Sequence, residues 1–172
     1  PADQARGLLF NRKHTLLDPY AKAVTGQRNW GEKPEGGKDF VYKARVVQSD
    51  FDWGRSRNLN YKFEDLVIYE MHVRGFTKDA SSGVKGGGTF EGLRQKIPYL
   101  KDLGINAVEL MPIFEFDEME SARVVDGVQL YNYWGYNTVS FFAPNTSYAF
   151  HQEHNHEGDE LKRLIRELKE NG

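Results

Sequence analysis

The chain has no cysteine, which removes disulfide scaffolds and thiolate zinc sites and suits a reducing compartment. It has no apolar run of membrane-spanning length. Its opening, PADQARGLLF, has neither the basic flank nor the apolar core of a signal peptide, and a first residue of Pro points to a native start further upstream. It also lacks a dominant charge: 23 basic and 25 acidic residues stand in mixed order and leave a formal charge of -2. Neither nucleic acid nor an anionic membrane is therefore an expected partner. What remains is enough for one ordinary domain, with 172 residues, 39% hydrophobic and 13% aromatic, so a packed core rather than a disordered chain is expected.

The pattern of residues divides the chain near position 60. Up to there it is rich in Gly, Asn and Arg, and a single alternating run, FVYKARVV from Phe40 to Val47, reads as a strand of an antiparallel sheet. One strand cannot bury a face alone, so residues 1–60 read as the tail of a module whose earlier strands lie elsewhere. From Asp65 the grammar changes. Leu66 to Tyr69 is a short continuous apolar run, the mark of a parallel strand covered on both faces. Thr89 suits a helix N-cap, Leu93, Ile97, Leu100 and Leu103 recur at helical spacing, and Gly104 suits the C-cap. Ile105 to Met111 reads as a second buried strand, closed by Pro112.

Residues 113–156 show no amphipathic helix. One is then expected from Asp159, with Leu161, Leu164, Ile165 and Leu168 on its apolar face and Asn171-Gly172 as its stop. Strand, helix, strand, long loop, helix is the order of βα units on a parallel sheet. Two such units neither close a barrel nor finish a doubly wound sheet. The expected fold is thus α/β, a piece of a larger enzyme-like protein.

Three candidate motifs have a plainer reading that is favoured. Gly86-Gly87-Gly88 before Thr89 could hold a phosphate at a helix start, but lacks the Lys-Ser/Thr of a P-loop, so a flexible loop feeding a cap is preferred. His151, His154 and His156 resemble a metal motif without a carboxylate or thiolate companion, so a solvated loop is preferred. Glu115, Asp117, Glu118 and Glu120 could supply paired carboxylates, but like charges this close in sequence usually lie in a solvated loop.

The stretch NYWGYNTVSFFAP, Asn132 to Pro144, is less ordinary, with five aromatic side chains in thirteen residues. Phe141 and Phe142 before Pro144 read as packing residues. Tyr133, Trp134 and Tyr136 around Gly135 combine flat faces with polar tips, which suits sugar rings. The residues alone leave packing and carbohydrate binding both open. The stretch follows the carboxyl end of a parallel strand, where barrel enzymes place substrate loops.

DLVIYEMHVRGFT (Asp65 to Thr77), YLKDLGINAVELMP (Tyr99 to Pro112) and NYWGYNTVSFFAP together resemble the isoamylase-type debranching enzymes of the α-amylase superfamily, which include bacterial glycogen debranching enzymes and plant isoamylases. LLFNRKHTLLDPYAKAV (Leu8 to Val24) is similar to the end of the β-sandwich module that precedes the barrel in that family. Type I pullulanases tend to carry Asp-Pro after Trp-Gly-Tyr, whereas Asn137-Thr138 stand here, which favours the isoamylase side.

The resemblance implies a partial (β/α)8 barrel: residues 1–60 as the end of the β-sandwich module and a linker, 61–172 as the first two βα units of the barrel. It implies that Tyr136 stacks on the sugar at the bond to be broken, and that Trp134, where many relatives have a histidine, stacks there too, with Asn137 beside them in the substrate site. It implies retaining hydrolysis of α-1,6 branch linkages in glycogen or starch by an Asp nucleophile and a Glu acid. Both come from later strands, so no catalytic residue is expected up to Gly172. No cofactor and no metal is expected. The implied partner is an α-glucan polysaccharide and the implied location the cytoplasm of a bacterium or a plastid, with self-association through unpaired strand edges. Alternatives on the same barrel are a branching transferase or a trehalose-releasing hydrolase, and outside catalysis a glucan-binding protein.

Overall fold

The computed structural model describes residues 3–172 except 9, 12, 14, 34–39, 49, 152, 154 and 155. Its regular structure lies almost wholly after residue 62. Strand β1 (Ile68–Met71) pairs in parallel with β2 (Ala107–Leu110), with Ile68 opposite Ala107 and Met71 opposite Leu110. Between them come helices α1 (Val73–Thr77), α2 (Phe90–Arg94) and α3 (Ile97–Asp102). Two βα units on a parallel pair of strands are thus present, as the sequence pattern requires.

The expected single helix from Thr89 to Leu103 is divided in two. Pro98 stands at the start of α3. It has no N–H to give the Arg94 carbonyl and its ring crowds that carbonyl, so the chain breaks at Gln95-Lys96. Both expected caps are present. The Thr89 hydroxyl accepts from the Gly92 N–H at 3.2 Å. Gly104 closes α3 at φ +85°, its N–H donating to Lys101 and that of Ile105 to Leu100, the Schellman pattern. Gly88 donates its N–H to the Thr77 hydroxyl at 2.8 Å, so the glycine run is held to the end of α1 and is not a loose loop.

After β2 comes the long excursion. Strand β3 (Phe114–Phe116) pairs antiparallel with β6 (Thr138–Pro144), and β4 (Arg123–Val125) with β5 (Val128–Leu130) forms a hairpin across Asp126-Gly127, both at positive φ. That is a type I′ turn. Helix α4 (His156–Glu170) starts three residues before the expected Asp159. It buries Leu161 and Leu164 against Met71, Val73, Phe90, Leu93, Ile97, Leu100, Phe116 and Tyr148, with Ile165 and Leu168 half-buried beside them. Arg94 ties α2 to α4, donating to Glu91 at 2.8 Å and to Glu167 at 2.7 Å.

Two expectations about strands are corrected. Phe40 to Val47 forms no strand: Ala44 makes an isolated antiparallel bridge with Val24, and the ladder stops there. With no further strand among the described residues to extend the pair, two partners cannot propagate a sheet. The β1 strand is not covered on both faces, since Ile68 is 49% exposed. Helices cover one face of the β1–β2 pair, and the opposite face has no strand across from it among the described residues.

Candidate functional site

His72 directly after β1, Phe116 at the end of β3, Tyr133 in the turn before β6 and Tyr148 after β6 build one aromatic cluster. Directly after β1, His72 is the N-cap of α1 and its Nδ1 accepts the Gly75 N–H at 3.0 Å. The ring proton therefore sits on Nε2, which donates to the Tyr133 carbonyl at 2.8 Å. Burial holds the imidazole below the ordinary histidine range. The Tyr133 carbonyl pulls the other way and the nearby Arg74 charge reinforces the burial, so the ring is neutral at pH 7. The Tyr133 ring lies flat on it, 4.1 Å between centroids at 9°. Tyr133 is thereby a structural residue of the turn.

Gly135 comes next, at φ +76°, with its backbone against the Phe116 ring: a Cβ there would stand 2.6 Å from Cδ1. Only glycine fits both the left-handed backbone and that approach. With Tyr133 pinned on His72 and Gly135 pinned on Phe116, the residues between and after them turn outward. Trp134 is 62% exposed and Tyr136 71%. Two large aromatic side chains on a fixed turn are thus presented to solvent. Asn137 differs from them: its amide donates to the Glu120 carboxylate and accepts from Asn132 Nδ2 at 2.5 Å. Both ends of that side chain are used inside the chain, anchoring the turn from its far side.

The two phenylalanines expected to pack lie outside the buried core. Phe141 is 65% exposed and Phe142 45%. An irregular register in the β3–β6 pair disturbs the alternation of β6, so Ser140 and Ala143 turn inward instead. Phe142 stacks on Tyr20 with centroids 5.6 Å apart, under the Lys22 ammonium.

The acidic tract is likewise corrected. Glu115 and Glu118 are fully buried rather than solvated. Glu115 accepts the Thr146 N–H at 2.7 Å and its hydroxyl at 3.2 Å, and Glu118 accepts the Ser147 hydroxyl at 2.5 Å. Burial raises both carboxyls, Glu115 well above the carboxylate range and Glu118 to about 7, against the opposing pull of those hydrogen bonds. They clamp β3 to the turn after β6, away from the exposed rings. Asp117 and Glu120 are used too, accepting from Gln27 Nε2 and from Asn137. Of the three histidines, His154 lies outside the described residues. His151 donates from Nδ1 to Glu160 at 3.0 Å, and His156 opens α4 beside Glu153. Among the described residues no group of three His, Asp or Glu side chains is placed to hold a metal.

Sequence reasoning missed Trp30, His72, Arg74 and Tyr148, the supports of the turn. A signal for Trp30 was available: it is the one large aromatic in GQRNWG, between two glycines in a polar stretch. Chemically the arrangement offers stacking faces on a rigid support, and the described carboxyl groups nearest to it are already bonded within the chain.

A family model for the α-amylase catalytic domain matches residues 40–172. Isoamylase 1, chloroplastic, of Arabidopsis thaliana is 39% identical over 96% of this chain and 22% of its own length. The glycogen operon protein GlgX homolog of Mycobacterium tuberculosis is 34% identical over the whole chain and 26% of its own length. The chain thus spans about a fifth to a quarter of the curated relatives it matches. Among solved structures, a pullulanase from Anoxybacillus sp. LM18-11 complexed with maltotetraose superposes with a TM-score of 0.68, at 30% identity, over 91% of this chain and 22% of that one. The parallel β1–β2 pair, its helices and the Trp-Gly-Tyr turn are therefore the opening of a known barrel, and the chain belongs to the α-amylase catalytic-domain family.

Proposed function

We propose that these residues serve a retaining glycoside hydrolase that cleaves α-1,6 branch linkages of glycogen- or starch-type glucans, and that Tyr136 and Trp134 are its sugar-stacking platform. The observation that carries this reading is the outward pair of aromatic faces on a turn fixed by His72 and Phe116. Flat C–H faces of a sugar stack on such rings while its hydroxyls stay solvated. The relatives named isoamylase and glycogen operon protein, and the pullulanase with maltotetraose, support the substrate class. Asn137 has a positioning part, since its amide is committed to Glu120 and Asn132. Residues 1–60 are read as the end of a β-sandwich module with a linker and 61–172 as the start of the barrel. The chloroplastic and bacterial relatives favour a plastid or bacterial cytoplasm.

Retaining cleavage needs two carboxyl groups about 5 Å apart flanking the bond. Glu115 and Glu118 do not supply them, being buried and bonded to Thr146 and Ser147. The nucleophile and acid are accordingly assigned outside this chain. The test separates binding from cleavage. The 172-residue chain binds maltotetraose in a calorimetric titration and releases no reducing sugar from glycogen, whereas the enzyme that carries these residues releases linear maltooligosaccharides. Reducing-sugar release by the purified chain alone, or an enzyme that cuts only α-1,4 bonds, would overturn the assignment. Among the described residues β2 pairs with β1 alone, and such an open edge favours self-association of the isolated chain.

A further inference from the structure

The segment Gly26–Gly31, GQRNWG, lies outside every helix and strand, yet it is bound to the loops of the barrel along its whole length. Gln27, which is buried, donates from Nε2 to Asp117 at 2.5 Å and accepts the Glu118 N–H at 3.3 Å. The Arg28 N–H donates to the Thr146 hydroxyl at 3.4 Å. Gly31, at φ +75°, lies against the Tyr131 ring, where a Cβ would stand 2.8 Å from Cζ. Between these anchors Trp30 enters the aromatic cluster. Its ring stacks on Tyr148 (6.0 Å, 6°) and meets Tyr133 (5.8 Å), Phe116 (6.0 Å) and His72 (6.3 Å) edge to face, while the Arg74 guanidinium covers it at 4.7 Å.

These contacts are not spread evenly over the core. His72 holds the Tyr133 carbonyl and ring, and Phe116 is the floor under Gly135. Trp30 touches both of those supports and Tyr133 itself, and Gly31 holds Tyr131 two residues earlier. We infer that Trp30 is a positioning residue: the strap laid down before the barrel begins fixes the 131–137 turn and so sets where Trp134 and Tyr136 stand. The consequence for activity rests on the glucan platform proposed above; the consequence for the turn does not. An aromatic edge is what the geometry uses, since three of its ring contacts are edge-to-face, an arrangement set by ring quadrupoles rather than by volume alone. A ring of smaller size therefore preserves the function better than an aliphatic side chain filling the same space.

The test compares Trp30→Phe with Trp30→Leu in the enzyme that carries these residues, by hydrogen exchange over residues 131–137 and 156–170 and by debranching kinetics. Trp30→Leu is expected to speed exchange at 131–137 by about tenfold, leave that of α4 unchanged, and lower kcat/KM by roughly tenfold or more through misplacement. Trp30→Phe stays within about threefold of the parent in both. Parental exchange at 131–137 in Trp30→Leu overturns the inference, as does an equal rise across 131–137 and α4, which would make Trp30 ordinary core. Tyr136→Ala is measured alongside. If it leaves maltotetraose affinity and turnover untouched, the glucan platform falls, while the exchange comparison still decides the role of Trp30.

Discussion

Residues 3–61 and residues 62–172 reach order by different routes. The later part makes its own: among the described residues all six strands and all four α-helices lie there, and their backbone groups are paired within helices, ladders and caps. Among its described residues the earlier part has one single-turn 3-10 helix and two isolated bridges. It is nonetheless held in place, because its side chains and carbonyls find partners in the later part. Arg45 pairs with Glu157 of α4, and Gln27 spans Asp117 and Glu118. The Asp52 carbonyl accepts from Arg166 at 2.9 Å, Asn58 accepts from Lys169 at 2.9 Å, and the Tyr61 hydroxyl donates to the Gly172 carbonyl at 3.1 Å. Absence of regular structure is thus not absence of structure. A segment without a ladder can be ordered by side-chain contacts across long sequence separations, and then its order depends on its partner.

That dependence can be broken from either side. The largest effect is expected at Phe116, fully buried in the later part and touched by Trp30 of the earlier one. Phe116→Ala removes the floor of Gly135 and leaves a cavity, at a cost of about 3 to 5 kcal/mol in urea unfolding. Both regions should unfold in one transition, and a second transition for the earlier part alone would refute the dependence. Arg45→Ala is expected to cost about 3 kcal/mol, because Glu157 would stay buried without its cation. Here the loss should be local first, with faster hydrogen exchange around residues 21–27 and 42–46. A variant as stable as the parent would show that the ion pair is incidental.

The buried carboxyls sharpen the comparison through pH. Glu118 has its folded pKa raised to about 7, above the ordinary glutamate value of about 4.3. The fold therefore favours its protonated form. Its contribution to stability is fully present below about pH 4 and is lost as pH rises through 7, since the unfolded state releases the proton earlier. The total is about 3 to 4 kcal/mol over that window. Glu115 is raised too, so the informative quantity is the difference between the parent and Glu118→Gln. Denaturant midpoints at pH 4.5 and 8 should converge in the variant relative to the parent, and an unchanged difference would remove Glu118 as the source.

The same contrast explains what could be read from the sequence. The two parallel strands, the Thr89 and Gly104 caps and the apolar face of α4 were legible because each is written in residues a few positions apart. The split at Pro98 was legible as well, its ring being incompatible with a continuous helix, yet the apolar spacing of Leu93, Ile97 and Leu100 outweighed it. Phe141, Phe142 and Glu115 were misread for one reason: which way a side chain points in the β3–β6 pair depends on an irregular register that no local pattern records. The buried acids also depend on Thr146 and Ser147, some thirty positions away. In the candidate site, the residues alone left Trp134 and Tyr136 open between packing and sugar binding, and only the family resemblance singled them out, whereas Trp30, His72 and Tyr148 come together only in three dimensions.

The smallest expected effect on the fold is also the most informative about function. Tyr136 is 71% exposed and stands on the ordered side of the comparison, but with no buried contact to lose. Tyr136→Ala should therefore change stability by no more than about 0.5 kcal/mol, as surface substitutions do. If its ring is the sugar platform, kcat/KM for a branched glucan should fall by the equivalent of about 2 to 4 kcal/mol, with kcat carrying the larger share, because stacking that strengthens toward the transition state is what is removed. Phe142→Ala is the control: that ring is also solvent-facing, but it stacks on Tyr20 rather than on the turn. It should cost about 1 kcal/mol of stability and leave turnover alone. A Tyr136 variant that keeps both its melting temperature and its turnover would show that exposure alone does not make a binding face, and the glucan assignment would lose the residue it rests on.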